Sequence, residues 1–322
     1  VKDKVLHYAK AYQKKVDYDN LNIRSDTSGT NAILDLKTNE IAVQGVKNIE
    51  FSDQQRVALI PKNQQITIGE NRNMEFDGRL FAGFSIMEGR GFRFNYDKFN
   101  IEMDSVDYFD LFIPTGKTDD NGQMEAFSIG SRIEHVNGTL LIDAPSNKSG
   151  KQDILMFPSF QSKDYSYVYY DQPFVQEGVY TRDSFYFELD KFSFNHLDRF
   201  SARDVKFGGK LFSADIFPVF SDTLELRGED QSLGLVTDTP SEGYPAYVDK
   251  GTYTGSLDLS NQGLLGAGLV NYLGAEVNAE DITFKPEQMT ANAEIFSLNE
   301  DRSSEVQVPQ ALGETVEIDW RP

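Results

Sequence analysis

The chain predicts an all-β protein: stacked antiparallel and coiled sheets in an elongated, solenoid-like or sandwich-like body, with one short N-terminal helix. Three observations predict it. Aromatic residues make up 12% of the 322, with 24 Phe and 15 Tyr, a composition suited to pleated, half-buried surfaces. From Asn31 onward, apolar and polar residues alternate in short runs broken by glycine and polar turns, the two-residue period of a strand. And one stretch, Phe92-Arg93-Phe94-Asn95-Tyr96-Asp97-Lys98-Phe99-Asn100-Ile101, returns as Phe185-Tyr186-Phe187-Glu188-Leu189-Asp190-Lys191-Phe192-Ser193-Phe194.

In both copies the alternation changes parity across the Asp-Lys pair. A tight hairpin at Asp97-Lys98 sets Tyr96 opposite Phe99, Phe94 opposite Ile101 and Phe92 opposite Met103, all on one sheet face. The second copy then pairs Leu189 with Phe192, Phe187 with Phe194 and Phe185 with His196. Asp-Lys lacks the glycine that two-residue hairpin turns favour, so a corner in a coiled sheet, or a bulge, is the alternative.

The elements follow in order. Val5, Ala9, Tyr12 and Val16 recur at helical spacing, with Lys10, Lys14 and Lys15 on the wet side, which predicts a helix over 1–17 and a linker to residue 30. Ala32, Leu34 and Leu36 alternate with Ile33, Asp35 and Lys37, then Ile41 and Val43 follow. Val57–Ile60 and Ile66–Ile68 flank a turn at Pro61–Gln65. Met74–Phe81 precedes the first motif copy, and a short strand is expected near Tyr108–Ile113. Asp119-Asp120-Asn121-Gly122 is a turn signal within a polar loop. His135–Asp143 reads as a strand.

Residues 144–153, rich in Pro, Ser, Asn, Lys and Gly, are the best internal boundary. They divide a β-repeat region over 31–143 from a second over 154–322, unless the two form one continuous body. A Gly-x-Leu unit recurs at Gly78-Arg79-Leu80, Gly138-Thr139-Leu140, Gly209-Lys210-Leu211 and Gly255-Ser256-Leu257. Glycine just before an inward leucine implies strand backbone closely approached by a neighbour. The irregular spacing of these units excludes a strict solenoid period. Val306–Val308, Val316–Ile318 and Trp320 are the last apolar positions.

Composition excludes several functions. A formal net charge of −20 argues against nucleic-acid backbones and anionic membrane surfaces as partners. With no cysteine there is no disulfide, thiolate nucleophile or Cys-ligated zinc. No run approaches the roughly 20 apolar residues of a membrane-spanning helix. The chain opens on Val1-Lys2-Asp3, which reads as a processed chain or a piece of a longer one.

Candidate chemistry is sparse, and no catalytic residue is nominated. His7, His135 and His196 show no metal-ligand spacing, and a Ser-His-Asp triad would have to recruit one of them. Asp104, Asp107 and Asp110, at every third position, could gather on one side of a turn, as could Asp119 and Asp120. These are the candidates for a metal site or a glycosidase acid/base pair. Calcium is the only cofactor they bring into view, and no calcium-loop pattern supports it. Gly263–Gly268 lacks the Lys-Ser/Thr of a phosphate loop, and no nucleophile elbow is present.

Tyr165, Tyr167 and Tyr169 would share one face of a strand. Exposed, they would form a sugar-stacking platform; half-buried, they would belong to an aromatic core. Asn137-Gly138-Thr139 and Asn147-Lys148-Ser149 are sequons. Asp104-Ser105-Val106 and Asp222-Thr223-Leu224 resemble the short O-glycosylation pattern of secreted Bacteroidota proteins.

Several phrases together resemble segments of large, uncharacterised cell-envelope proteins of Bacteroidota. They are Asn31–Leu36, Val43–Val46, Phe185–Phe187, Phe212–Pro218, Glu242–Pro245, Leu259–Leu264 and Ile318–Pro322. The resemblance implies a segment of a much longer exported β-repeat protein, in the periplasm or at the cell surface, and brings no catalytic residue. The expected function is a non-enzymatic structural or interaction segment whose partners are other segments of the longer chain or envelope proteins. The alternatives are a carbohydrate-binding module using the tyrosine face, with polysaccharide as partner, and a glycan-active enzyme using a carboxylate pair.

Overall fold

The computed structural model describes residues 19–26, 28–120, 122, 124–300 and 309–322. Strands account for 59% and helical turns for 4%, so the protein is all-β. The helix expected over 1–17, with His7, lies outside the described residues, as do Val306–Val308.

In chain order the strands begin with β1 (Asn22–Ser25), β2 (Ala32–Asp35), β3 (Glu40–Gln44), β4 (Val46–Ser52), β5 (Val57–Pro61) and β6 (Gln65–Ile68). There follow β7 (Met74–Ala82), β8 (Ser85–Asn95), β9 (Asn100–Thr118), β10 (Met124–Ser128), β11 (Ile133–Leu141) and β12 (Ser159–Ser162). Next are β13 (Ser166–Tyr169), β14 (Phe185–Leu189), β15 (Ser193–Phe194), β16 (Lys206–Ser213), β17 (Phe220–Leu226) and β18 (Leu233–Asp238). The last are β19 (Tyr244–Ala246), β20 (Gly251–Ser260), β21 (Gly263–Tyr272), β22 (Ala275–Lys285), β23 (Gln288–Leu298) and β24 (Ala311–Trp320).

The chain divides into two compact units. Unit 1 takes the chain to Ser128, then Ile133–Ser166 and Lys191–Ser201; unit 2 takes Ile129–Arg132, Tyr167–Asp190 and Ala202–Pro322. Residues 144–153 lie inside unit 1. Asp143, 1% exposed, accepts from Gln55 Nε2 at 3.0 Å and Asn147 Nδ2 at 2.9 Å. Asn147 in turn binds both backbone groups of Gln152. These buried hydrogen bonds tie the loop to the β4–β5 turn.

In unit 1 the ladder runs β1–β4–β5–β7–β8–β9–β11–β12–β15, antiparallel throughout. One edge of β7 is shared: β5 pairs with Gly78–Ala82, while β6 pairs with Met74 and Glu75 and leads on to β3 and β2. The change of partner falls at Gly78, where β7 also bulges against β8. A Cβ at Gly78 would lie 2.3 Å from the Ile60 carbonyl oxygen, so only glycine lets the strands pass this closely. Beyond that bend the sheet turns back on itself. Phe51 on β4 packs 4.8 Å from Phe94, which is paired with Met74 at the opposite end of β7.

Unit 2 repeats the plan. Its ladder runs β14–β16–β17–β18–β20–β21–β22–β23–β24. One edge of β20 is shared by β18, along Ser256–Leu259, and β19, along Gly251–Tyr253. Gly255 sits at the change, and register places Gly268, Ala279 and Ala293 in line with it across the sheet. This row of small residues, with bulges in β21 and β22, is where the long strands bend. The two halves then pack face to face: Tyr253 meets Phe284 at 5.0 Å, and Trp320 meets Tyr272 at 4.8 Å.

The Gly-x-Leu reading holds at all four places. Leu80, Leu140, Leu211 and Leu257 are fully buried. A Cβ on Gly138, Gly209 or Gly255 would stand 2.4, 2.1 or 2.2 Å from a neighbouring strand's carbonyl oxygen. The Gly263–Gly268 stretch is likewise strand, the first half of β21.

The first motif copy is a hairpin with the expected register, Phe94 opposite Ile101 and Phe92 opposite Met103. Its turn spans Tyr96–Phe99 instead of two residues, because Phe99 adopts φ 53° and drops its ring into the core. Asn95 Oδ1 accepts from the Lys98 amide at 2.9 Å and closes the turn.

The second copy departs from the expected hairpin. Phe185, Phe187 and Leu189 pair with Ser213, Leu211 and Gly209, while Phe194 pairs with Phe160. The chain passes from unit 2 to unit 1 between Asp190 and Lys191, so no hairpin closes there. His196, expected opposite Phe185, instead takes φ 58°, with its ring Nδ1 at the Leu155 carbonyl.

Candidate functional site

The outward sides of the bent sheets carry aromatic, charged and polar side chains together. On unit 2, the alternation of β14 and β16 sends Phe185, Phe187, Leu211 and Ser213 inward and leaves Tyr186, Glu188, Lys210 and Phe212 outward. Tyr186 and Phe212 are opposite in register, and their rings stack at 4.7 Å with 18° between planes. Tyr167 and Tyr169 on β13 lie near-parallel, 6.0 Å apart, and Tyr186 stands edge-on to Tyr167 at 5.7 Å. The Arg182 guanidinium lies 4.5 Å over the Tyr169 ring and is paired with Asp171 at 2.8 Å. Tyr167 Oη donates to Glu188 at 3.4 Å. Burial, with Glu188 nearby, raises the Tyr167 phenol above its ordinary value.

The structure thus brings Tyr167 and Tyr169 together, half-buried, while Tyr165 falls in unit 1 and is 50% exposed. Sequence reasoning missed Tyr186, Phe212 and Arg182. Strand parity carried part of the signal, since inward Phe185 and Phe187 imply an outward Tyr186. The partnership with Phe212 depends on long-range register, which alternation leaves open.

Three of the aspartate candidates, Asp104, Asp107 and Asp110, are placed on a strand instead of the turn that was expected. Asp104, Asp107 and Asp110 lie on β9, a strand from Asn100 to Thr118, so successive members stand roughly 10 Å apart along an extended chain. Asp104 is clamped by Arg93, with Nη2 donating at 2.8 Å, and that guanidinium holds its carboxyl below the usual range. Asp107 lies 3.8 Å from Arg90. Asp119 and Asp120 sit in the β9–β10 turn, where the Asp119 carbonyl accepts from the Gly122 amide.

Where β9 bulges against both neighbours, Asp104, Asp107, Glu134, His135 and Asn137 rim a surface hollow of about 350 Å³. Among the described residues, no group of three or more His, Asp or Glu side chains is placed to hold a metal ion.

A second hollow, of about 380 Å³ on unit 2, carries Asp258, Glu280 and Asp281. Burial raises the Asp258 carboxyl, opposed by Arg227, whose Nη2 lies 2.7 Å away. Of the modification motifs, Ser105 and Thr223 are exposed on strands. Asn147 is 3% exposed with its amide fully engaged, which leaves that sequon no room for a glycan. No described helix is long and apolar enough to cross a membrane, a statement that says nothing of crossing by strands.

Comparison with protein-family models, with curated proteins and with solved structures finds no match.

Proposed function

We propose that this chain is a non-enzymatic structural and interaction segment of a larger exported bacterial envelope protein built of β-repeats. Its place is the periplasm or the cell surface, and its partners are other segments of the longer chain or envelope proteins. The observation that carries this reading is that aromatic side chains from opposite halves of the bent strands fill the inside of each unit. Phe51 packs 4.8 Å from Phe94, and Tyr253 packs 5.0 Å from Phe284. Recognition is then left to outer faces. What points to that location is the resemblance of the phrases Asn31–Leu36, Phe212–Pro218 and Ile318–Pro322 to Bacteroidota envelope proteins.

The test has two arms. Cells carrying the full gene are fractionated and probed with an antibody to this segment; recovery in the envelope is expected, and recovery in the cytosol would sink the proposal. The purified chain is also assayed on a glycoside panel. Turnover abolished by Asp258→Asn would replace this reading with the glycan-active enzyme, because Asp258 lines the unit 2 hollow beside Glu280 and Asp281 and burial raises its carboxyl. The carbohydrate-binding alternative is favoured by a specific observation, the ring cluster on unit 2.

A further inference from the structure

We propose that the outer face of β13, β14 and β16 in unit 2 binds a neutral polysaccharide through Tyr167, Tyr169, Tyr186 and Phe212. The inference rests on the interaction reading above and names the partner.

Three observations carry it. First, the four rings are fixed before any ligand arrives. Tyr186 is held by Phe212 at 4.7 Å and by Tyr167 at 5.7 Å, and Tyr169 by Tyr167 at 6.0 Å. A surface whose rings are already ordered loses little side-chain freedom on binding. Second, each ring is half-buried, so each presents part of an apolar body at the surface, and three of the four carry a phenol. That mixture matches the C–H patches and hydroxyls of a sugar. Tyr186 and Phe212 turn their faces to each other and Arg182 covers Tyr169, so the ligand meets ring edges and hydroxyls. Such a surface suits a chain laid across it better than one sugar ring stacked flat.

Third, the charges on this face are matched. Arg182 is paired with Asp171, and Glu188 is opposite Lys210. The chain as a whole carries −20, so a polyanion is repelled at long range and meets no excess of cations here. A neutral polymer meets neither obstacle.

The experiment is native electrophoresis of the full chain in gels containing soluble β-glucan, mannan or xylan, with polygalacturonate as the anionic probe. Retardation by at least one neutral polymer, little changed by salt, is expected. Tyr186→Ala should weaken it by about tenfold, the worth of roughly one good ring contact. Tyr167→Phe keeps the ring and removes only the hydroxyl, so it should weaken retardation with the unfolding midpoint almost unmoved.

No retardation by any neutral polymer overturns the inference, as does retardation indifferent to both substitutions or seen only with polygalacturonate. Each of those failures leaves the envelope-segment reading standing, since fractionation and turnover test that separately.

Discussion

At Gly209 a hydrogen atom in place of a methyl group lets two strands meet, because a Cβ there would sit 2.1 Å from the Glu188 carbonyl oxygen and 2.6 Å from the Phe187 ring. Gly209→Ala is therefore expected to destabilise the fold by about 3 kcal/mol, read from urea denaturation. Gly91 is the control. A Cβ there meets nothing within 4 Å, and only its φ of +67° opposes substitution, so Gly91→Ala should cost about 1 kcal/mol.

Tyr180 shows the same economy in polar form. Its hydroxyl donates to the Phe284 carbonyl at 2.6 Å and accepts from the Leu264 amide at 3.1 Å. Removing it in Tyr180→Phe should cost about 2 kcal/mol. Burial pushes its pKa up to about 12, against an ordinary value of 10.0. The folded state keeps this proton after the unfolded state has lost it. Its contribution is thus intact below about pH 10 and disappears as pH rises through about 12. Tyr170, Tyr247 and Tyr253 are shifted in the same direction by burial. A phenolate absorbance titration should show these tyrosines ionising only together with alkaline unfolding; normal titration of all 15 Tyr in the folded state would contradict the burial.

At the scale of elements, two stretches with the same alternation and the same Asp-Lys pair take different structures. Phe92–Ile101 closes a hairpin, whereas Phe185–Phe194 is split between units at Asp190-Lys191. The alternation told that Phe92, Phe94, Phe99 and Ile101, and Phe185, Phe187, Leu189 and Phe194, face inward, while Tyr96 and Phe192 stay half-buried and His196 is exposed. Which strand each copy pairs with was not legible, because partner choice depends on glycines, bulges and chain segments far away in sequence. Asp190 shows this locally, since its amide donates to the Gly208 carbonyl and not within a turn of its own.

The absence of cysteine makes register easy to test. The pair Arg93→Cys with Glu102→Cys, and the pair Glu188→Cys with Lys210→Cys, are each opposite in register and should cross-link on mild oxidation. Failure of the second pair would restore the hairpin for the second copy. The aspartates of β9 mark where the sequence misled. Spacing by three suggests one side of a turn, yet a bulged strand carries them along its length and Arg93 and Arg90 neutralise two of them.

For the whole molecule, the all-β class and the close-packed glycines were legible, because composition and two-residue periodicity follow directly from strand geometry. The division into units was not, since it is drawn by contacts between distant stretches. Residues 144–153 have the composition of a linker but are anchored by Gln55 and Asp143. Fragment 202–322 lacks β14, which covers one edge of β16. Expressed alone it should unfold at lower urea than the intact chain, and co-expression with 1–201 should recover the loss. An unchanged midpoint for the fragment would show that β14 contributes little.

The interleaving has a consequence for descent as well. Each unit is assembled from three separate stretches of chain. A recombination event that exchanged one continuous piece of the gene could not replace either unit whole without carrying off part of the other. Diversification should therefore proceed by point changes on the outer faces, with both units inherited as one block.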